Sequence, residues 1–289
     1  MASKPTEHIR WIDIGRVLSI ALVLSHHAIL SQSWLCYLTD SGVFFFYFFA
    51  GYFTPKTQKA LATRIGWLIC TYGLWTVISI FLNGHADHVP QTLLAWGLLL
   101  DSGSNSALWF LKTLIFFNIL LLLTQRWQQL LPIVIFIGLL SLSIYQYPFF
   151  HTRLIQPLWL IPPYAGYLFA RYNLSLSSIQ GFLWQKRPYF LLLTICIILA
   201  CILSPRWIGI DYKQIPFNII NIVSIFYGAC AMAIIAMYVE KYSDTATRLL
   251  ILLVPSVIWI YASHCIIYSN KWAGPFSQSF TAIRGQYGF

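Results

Sequence analysis

The stretch "RWIDIGRVLSIALVLSHH", residues 10–27, opens a hydrophobic run with two arginines and an aspartate and closes it with paired histidines. Apolar runs recur along the whole chain, which is 58% hydrophobic and 9% charged, against roughly 25% charged residues in soluble domains. Runs such as "LIFFNILLLL", residues 114–123, lack the strict alternation of a membrane barrel strand. The sequence therefore predicts an all-α, polytopic transmembrane helical bundle.

Hydropathy predicts about nine membrane spans, at residues 17–37, 42–53, 64–82, 106–124, 131–147, 154–170, 189–204, 216–239 and 249–268. With a cytoplasmic N-terminus, twelve Lys and Arg residues fall in the inner segments and five in the outer ones. This asymmetry follows the positive-inside rule and predicts a cytoplasmic N-terminus. Because the +10 net charge is spread over loops rather than gathered in a patch, no nucleic-acid partner is expected.

The polar stretches between these runs are short, the longest being residues 83–91, 171–188 and 269–289. The sequence thus predicts one membrane-embedded domain over residues 1–289, with a polar tail at 269–289. The six cysteines lie in or beside apolar runs without CxxC spacing, and "HADH" at 85–88 has no recognisable third ligand. No metal site is predicted.

Arg16 and His27 are eleven residues apart, almost three helical turns, so a helix presents both on one face, roughly 16 Å apart along its axis. This spacing predicts a fixed cation near the membrane boundary and a titratable base in the interior. Asp13 is three residues from Arg10 and from Arg16, so an ion-pair cluster at the helix start is also expected. His27 as an interhelical hydrogen-bonding residue, and Arg10 as a topological anchor, are the alternatives.

Two further residues lie where an apolar run begins. Lys112 could neutralise a phosphate or carboxylate, or its stem could snorkel to an interface. Trp109 could stack on a sugar face, or pack as an ordinary aromatic residue. Both alternatives are open for each residue.

Four segments in order carry a family resemblance: residues 10–27, "GVFFFYFFAGYF" at 42–53, "ALWFL" at 107–111 and "IYASHCI" at 260–266. They resemble, respectively, the Arg-ten residues-His motif, the "FF..SGY" signature, the "WFL" motif and the late "Y..H" motif of the membrane acyltransferase 3 family. The resemblance extends from about Arg10 to about Ile267. Ala50 stands where the family often has Ser, and residues 269–289 stand in place of an expected tenth helix.

The resemblance implies O-acyl transfer, usually of acetyl from acetyl-CoA, to a hydroxyl of a sugar or cell-envelope glycan that can be lipid-linked. Carried over, His27 is the general base, while Arg16 and Arg64 contribute to the donor site. Trp109 and Lys112 are the candidates for acceptor binding. The expected setting is the bacterial inner membrane, with membrane lipids as partners, acetyl-CoA as donor and no permanently bound cofactor.

Two other function classes compete with acyl transfer. In a secondary transporter, intramembrane His and Lys would serve as proton or substrate sites, but the spans show no clear inverted repeat. In a non-catalytic membrane subunit, the polar residues would only join helices.

Overall fold

The computed structural model describes residues 9–28, 33–82, 108–124, 157–203, 215–257 and 260. This part of the chain contains α-helices and no strand, which confirms the all-α prediction for it. The eight helices are α1 (Arg10–Ala28), α2 (Ser33–Tyr52), α3 (Gln58–Leu82), α4 (Trp109–Thr124), α5 (Ile161–Arg171), α6 (Leu176–Leu203), α7 (Ile215–Tyr242) and α8 (Asp244–Leu253). Short 3₁₀ turns, Pro157–Leu160 and Val254–Ser256, adjoin α5 and α8.

Three of the described helices are long and apolar enough to cross a membrane, over Gln58–Ile78, Leu176–Leu203 and Val223–Tyr242. A shorter apolar helix runs over Phe110–Thr124. The nine-span count and the cytoplasmic N-terminus stay predictions. The span predicted at 131–147, the late "Y..H" motif and the polar tail at 269–289 lie outside the described residues, except for Ile260.

The described helices form two compact units. The first contains α1, α2 and α5 to α8, and the second contains α3 and α4. The single-domain prediction for residues 1–289 stays a prediction.

Helix α2 lies at the centre of the first unit and packs against α1, α5 and α7. Two contacts show that it runs antiparallel to α1. Near the start of α2, Thr39 Oγ1 donates to the Leu22 carbonyl of α1 at 3.2 Å. Near the end of α2, Phe49 packs on Trp11 at the start of α1. Tyr37 extends the contact to α7, where its hydroxyl donates to the Ser224 carbonyl at 3.0 Å. The aromatic helix α2 is thus packed mainly against three neighbouring helices.

Two glycines let the backbones of α2 and α5 meet. A Cβ atom on Gly51 would overlap the Pro163 carbonyl, and one on Gly166 would overlap the Phe48 carbonyl. Helices in lipid associate through van der Waals packing, so small residues that permit close approach stabilise their interface. These contacts fix the position of α5 against the end of α2.

The sequence prediction was wrong about the segment before the seventh predicted span. Residues 171–188 were expected to be a polar connection, but α6 already begins at Leu176 and contains Pro188. The turn after α5 uses Asn173 in the left-handed region, with φ of 55°, and Ser175 Oγ then accepts from the Ser178 N–H at 3.1 Å. This capping starts a helix that hydropathy alone does not detect. Helix α2 likewise begins at Ser33 rather than at residue 42.

The first unit collects its basic residues at one end. Helices α1, α6 and α8 start there, and α2, α5 and α7 end there, as the bond from the Tyr52 hydroxyl to the Leu174 carbonyl, 2.9 Å, illustrates. Every Lys and Arg in the described part of this unit lies within about three turns of that end: Arg10, Arg16, Arg171, Lys186, Arg187, Lys241 and Arg248. We call it the basic end.

Replacing Gly51 by alanine tests the close approach of α2 and α5. The added methyl group meets a backbone carbonyl that cannot rotate away, so we expect a loss of about 1–3 kcal/mol in stability, measured by thermal unfolding in detergent. Gly66→Ala in α3 is the matched control, because a Cβ there meets nothing within 4 Å and alanine favours the helix. Equal effects of the two substitutions would contradict the packing argument.

Candidate functional site

The Arg16 side chain is held by two groups of the first unit. Its Nη1 donates to Asp13 Oδ1 at 3.1 Å, and its Cζ lies 5.6 Å from the centroid of the Phe53 ring. The Asp13 side chain is only 8% exposed, whereas that of Arg16 is 28% exposed. A guanidinium has five N–H donors, so a partly exposed arginine fixed in this way can still bind an anion.

This geometry follows from the helix and its neighbour. Side chains three residues apart share a helix face, and the contact with Asp13 directs Arg16 back toward the start of α1. Phe53 directly follows α2, which runs antiparallel to α1 and ends at the basic end. The predicted pairing of Asp13 with Arg16 is present. Arg10 is exposed and interacts electrostatically with Glu240 of α7.

His27 lies in the last turn of α1, and its side chain is outside the described residues. The helix is continuous from Arg10 to Ala28, so the Arg16 and His27 backbones are separated by roughly 16 Å along one axis. Because the guanidinium of Arg16 turns back to Asp13, its charge is directed away from His27. A ligand that contacted both would have to be long.

The second unit contains the other three residues singled out by the sequence. Arg64 is half-buried in the second turn of α3, and α3 packs against α4. Lys112 of α4 is only 2% exposed, and this burial favours an interior role over snorkelling to an interface. Trp109 is the first residue of α4, and its side chain is outside the described residues.

Lys112 is one of three buried polar residues of α4. Thr113 and Asn118 of the same helix are buried beside apolar residues, and Asn118 Nδ2 donates to the Leu114 carbonyl at 2.6 Å. The Oδ1 atom of Asn118 is buried and has no hydrogen-bond partner in the described part of the chain. With 3.6 residues per turn, these three side chains point in different directions around α4. Buried ionisable residues in membrane helices are candidates for function, and Lys112 is the one in this helix.

Asp13 and Asp40 fall outside the predicted membrane spans, yet both lie in helices and neither is exposed. Asp13 is 5% exposed within the first unit, and Asp40 lies inside α2 and is half-buried. Hydropathy assigned residues 33–37 to the end of the first predicted span and started the second at residue 42, so Asp40 fell between two spans. In the structure α1 ends at Ala28 and α2 already begins at Ser33, which places Asp40 within a helix.

The structure distributes the candidate residues over both units. Arg16 and His27 share α1 in the first unit, while Arg64, Trp109 and Lys112 belong to the second. Arg16 combines partial exposure with an aromatic platform and an acidic partner, and Lys112 is an ionisable residue buried in an apolar helix. These are properties of ligand-binding residues in membrane proteins.

The model of the acyltransferase 3 family, described as an acyltransferase domain, matches residues 9–283. The chain belongs to this family. The match covers nearly the whole chain, including all five candidate residues, and it supports a membrane acyltransferase. No curated protein and no solved structure matches the acyltransferase chain.

We expect Asp13→Asn to destabilise this acyltransferase by about 1–3 kcal/mol, because it removes the charge partner of a partly buried arginine. Thermal unfolding in detergent measures the loss. The matched control is Asp244→Asn, whose pair with Arg248 at 2.7 Å is 68% and 78% exposed and should contribute less than about 1 kcal/mol. A larger loss at Asp244 would contradict the importance of the Asp13 pair.

Proposed function

We propose that this protein is an integral-membrane O-acyltransferase that transfers acetyl from acetyl-CoA to a hydroxyl of a sugar or cell-envelope glycan. The observation that carries this proposal is the family match over residues 9–283, together with a partly exposed Arg16 eleven residues before His27 on one helix. The acceptor is a free or lipid-linked sugar. The setting is the inner membrane of a bacterium, with the basic end of the first unit facing the cytoplasm.

In the proposed reaction, His27 acts as the general base. It accepts the proton of the acceptor hydroxyl as the hydroxyl oxygen attacks the thioester carbonyl. The carbon–sulfur bond of the thioester then breaks, and the CoA thiolate leaves and takes up a proton. Imidazole suits this role because it exchanges a proton near neutral pH.

Arg16 and Arg64 would bind the anionic head of the donor. Arginine offers a planar fork of N–H donors that matches phosphate oxygens, and Asp13 and Phe53 hold the Arg16 fork in one orientation. Because Arg16 is directed back toward the basic end, it is suited to the phosphates rather than to the reacting thioester. The thin pantetheine arm would span the remaining distance to His27.

Trp109 and Lys112 would bind the acceptor. An indole can stack on a sugar face, and a buried ammonium can pair with a phosphate or carboxylate of a lipid-linked sugar. The burial of Lys112 supports this role.

The orientation of the chain is supported by the charge distribution of the first unit. All Lys and Arg residues in its described part lie toward one end, as the positive-inside rule requires for a cytoplasmic face. Acetyl-CoA is a cytoplasmic metabolite in the proposed reaction, so the donor would enter at this end, where Arg16 lies.

We expect His27→Ala to lower kcat for acetyl transfer by about 10²–10⁴-fold, because this is the contribution of a positioned general base. The purified protein is incubated with radiolabelled acetyl-CoA and candidate glycans, and acceptor acetylation is measured. His26→Ala is the matched control, since it removes the neighbouring imidazole, which points about a quarter-turn away on the helix.

Transfer by His27→Ala at the wild-type rate would refute the proposed mechanism. Proton-coupled uptake of a polar solute into liposomes, without any acetyl transfer, would instead support a transporter. In that case the family match would indicate ancestry rather than activity.

We expect Lys112→Met to raise the KM for an anionic acceptor by at least about tenfold, because methionine retains the apolar stem of the side chain and removes its charge. Steady-state kinetics with charged and neutral acceptors measures the effect. A loss of stability with unchanged KM would indicate that Lys112 only holds helices together.

A further inference from the structure

A cavity of about 560 Å³ lies between the start of α6 and the end of α7, within the first unit. Its walls include the side chains of Ser177, Gln180 and Trp184 from α6 and of Glu240 and Lys241 from α7. The cavity therefore combines a hydroxyl, an amide, an indole and charges of both signs. None of these residues belongs to the proposed acyl-transfer site.

Two cations meet on the indole of Trp184. The Arg187 guanidinium lies 4.8 Å from the ring centroid and the Lys241 ammonium 5.0 Å from it. Arg187 Nη1 also donates to the Trp184 carbonyl at 2.7 Å, which fixes the guanidinium and leaves most of its N–H donors for other partners. Like charges repel, so holding both on one ring is favourable when an anion lies between or beside them.

Glu240 is the acid in this cavity, and its charge is opposed by more than one cation. Lys241 is its neighbour in the chain, and Arg10 at the start of α1 interacts with it electrostatically. Glu240 and Lys241 are the charged residues among the cavity walls, and Arg187, on the Trp184 ring, adds a further cation beside the cavity. The cavity as a whole is therefore suited to an anion.

Gly181 keeps the cavity open. A Cβ atom there would meet nothing within 4 Å, so no neighbouring helix requires a glycine at this position. Glycine weakens a helix interior relative to alanine, and the backbone of α6 does not need it for a positive φ. The absence of a side chain at Gly181 leaves open space beside the Trp184 indole and the Gln180 amide.

The residues around the cavity are of the types found at the level of lipid headgroups. Helices α6 and α7 are two of the three helices that can cross a membrane, and the cavity is at their basic ends. The Trp184 ring lies 4.9 Å from the Tyr238 ring at an interplanar angle of 43°, and an exposed Tyr189 follows. Aromatic and basic residues together are typical of a membrane interface. Exposed apolar side chains of α6, including Leu192 and Leu193, continue from there into the span and can contact acyl chains.

We infer that this cavity binds the phosphate headgroup of an anionic membrane phospholipid, with Lys241 and Arg187 as the phosphate-binding residues and Trp184 as their platform. Ser177 and Gln180 would donate hydrogen bonds to headgroup oxygens. Basic pockets between membrane helices are typical headgroup sites. This inference does not depend on the proposed acyl transfer, because it uses none of the same residues.

Native mass spectrometry of the full-length protein, released from detergent micelles with added phosphatidylglycerol or phosphatidylcholine, tests this inference. We expect phosphatidylglycerol to bind preferentially and its affinity to fall about fivefold with Lys241→Gln or with Arg187→Gln. Arg248→Gln is the matched control for charge, since Arg248 is 78% exposed and pairs with Asp244 on α8.

Two more variants separate headgroup binding from a structural role. Gly181→Leu places a side chain at the cavity wall from a position where a Cβ meets nothing within 4 Å, and it should abolish preferential binding. Gly66→Leu, at an equally open glycine of α3, should not. Glu240→Gln removes the opposing charge and should tighten binding by about fivefold. Opposite effects at neighbouring positions 240 and 241 are not expected from a loss of folding.

Equal affinity of all these variants for phosphatidylglycerol would overturn the inference, as would equal binding of both lipids to the wild type. Glycerol 3-phosphate, added in excess, identifies the source of the phosphate. If it displaces the lipid from the wild type, the site binds a soluble phosphate ester and the assignment to a lipid is wrong. If it does not, and the affinities change as expected, the lipid headgroup is the ligand.

Discussion

The backbone contact between α2 and α5 is the constraint on which the first unit depends. Lipid tails are as apolar as leucine, so burial of apolar surface contributes little to the association of membrane helices. Close van der Waals packing must drive their association instead. Gly51 and Gly166 allow each helix to reach a backbone carbonyl of the other. On its other sides, α2 packs against α1 and α7.

A row of phenylalanine rings along α2 extends to the side chain of Arg16. Phe45 and Phe49 of α2 and Phe53, directly after it, recur every four residues, with ring centroids 4.8 Å and 6.3 Å apart. Trp11 of α1 packs edge-on against the first two rings, and Arg16 lies over the third. The matched "FF" signature is thus a packing device as well as a motif, because its rings orient the arginine of the preceding helix.

Parts of this architecture could be predicted from the sequence and parts could not. The pairing of Asp13 with Arg16 follows from local helix geometry, so the spacing of three residues was sufficient. The early start of α6 depends on Ser175 and Asn173, whose capping and left-handed conformations lie within a segment that hydropathy treats as a loop. The burial of Lys112 depends on how α4 packs, which no property of a single apolar run reveals.

Two glycines also show what cannot be predicted from the sequence alone. Gly51 and Gly181 both interrupt apolar helices, yet a side chain at the first would strike a backbone carbonyl and one at the second would meet open space. The sequence cannot distinguish these cases, because the difference lies in the neighbouring helix. Only the packed structure shows that Gly51 is required by an interface, whereas Gly181 borders a cavity.

Three cations of the first unit are each held against the face of an aromatic ring. Arg16 lies over Phe53, and Arg187 and Lys241 lie over Trp184, so each cation contacts the face of an aromatic ring at the basic end of its helix. An aromatic face stabilises a cation without neutralising it, because the ring quadrupole carries no net charge. A carboxylate partner lowers the net charge, as Asp13 does for Arg16, but the ring leaves the cation able to attract a phosphate. Aromatic support therefore allows a membrane protein to keep positive charge partly buried and still available to an anionic ligand.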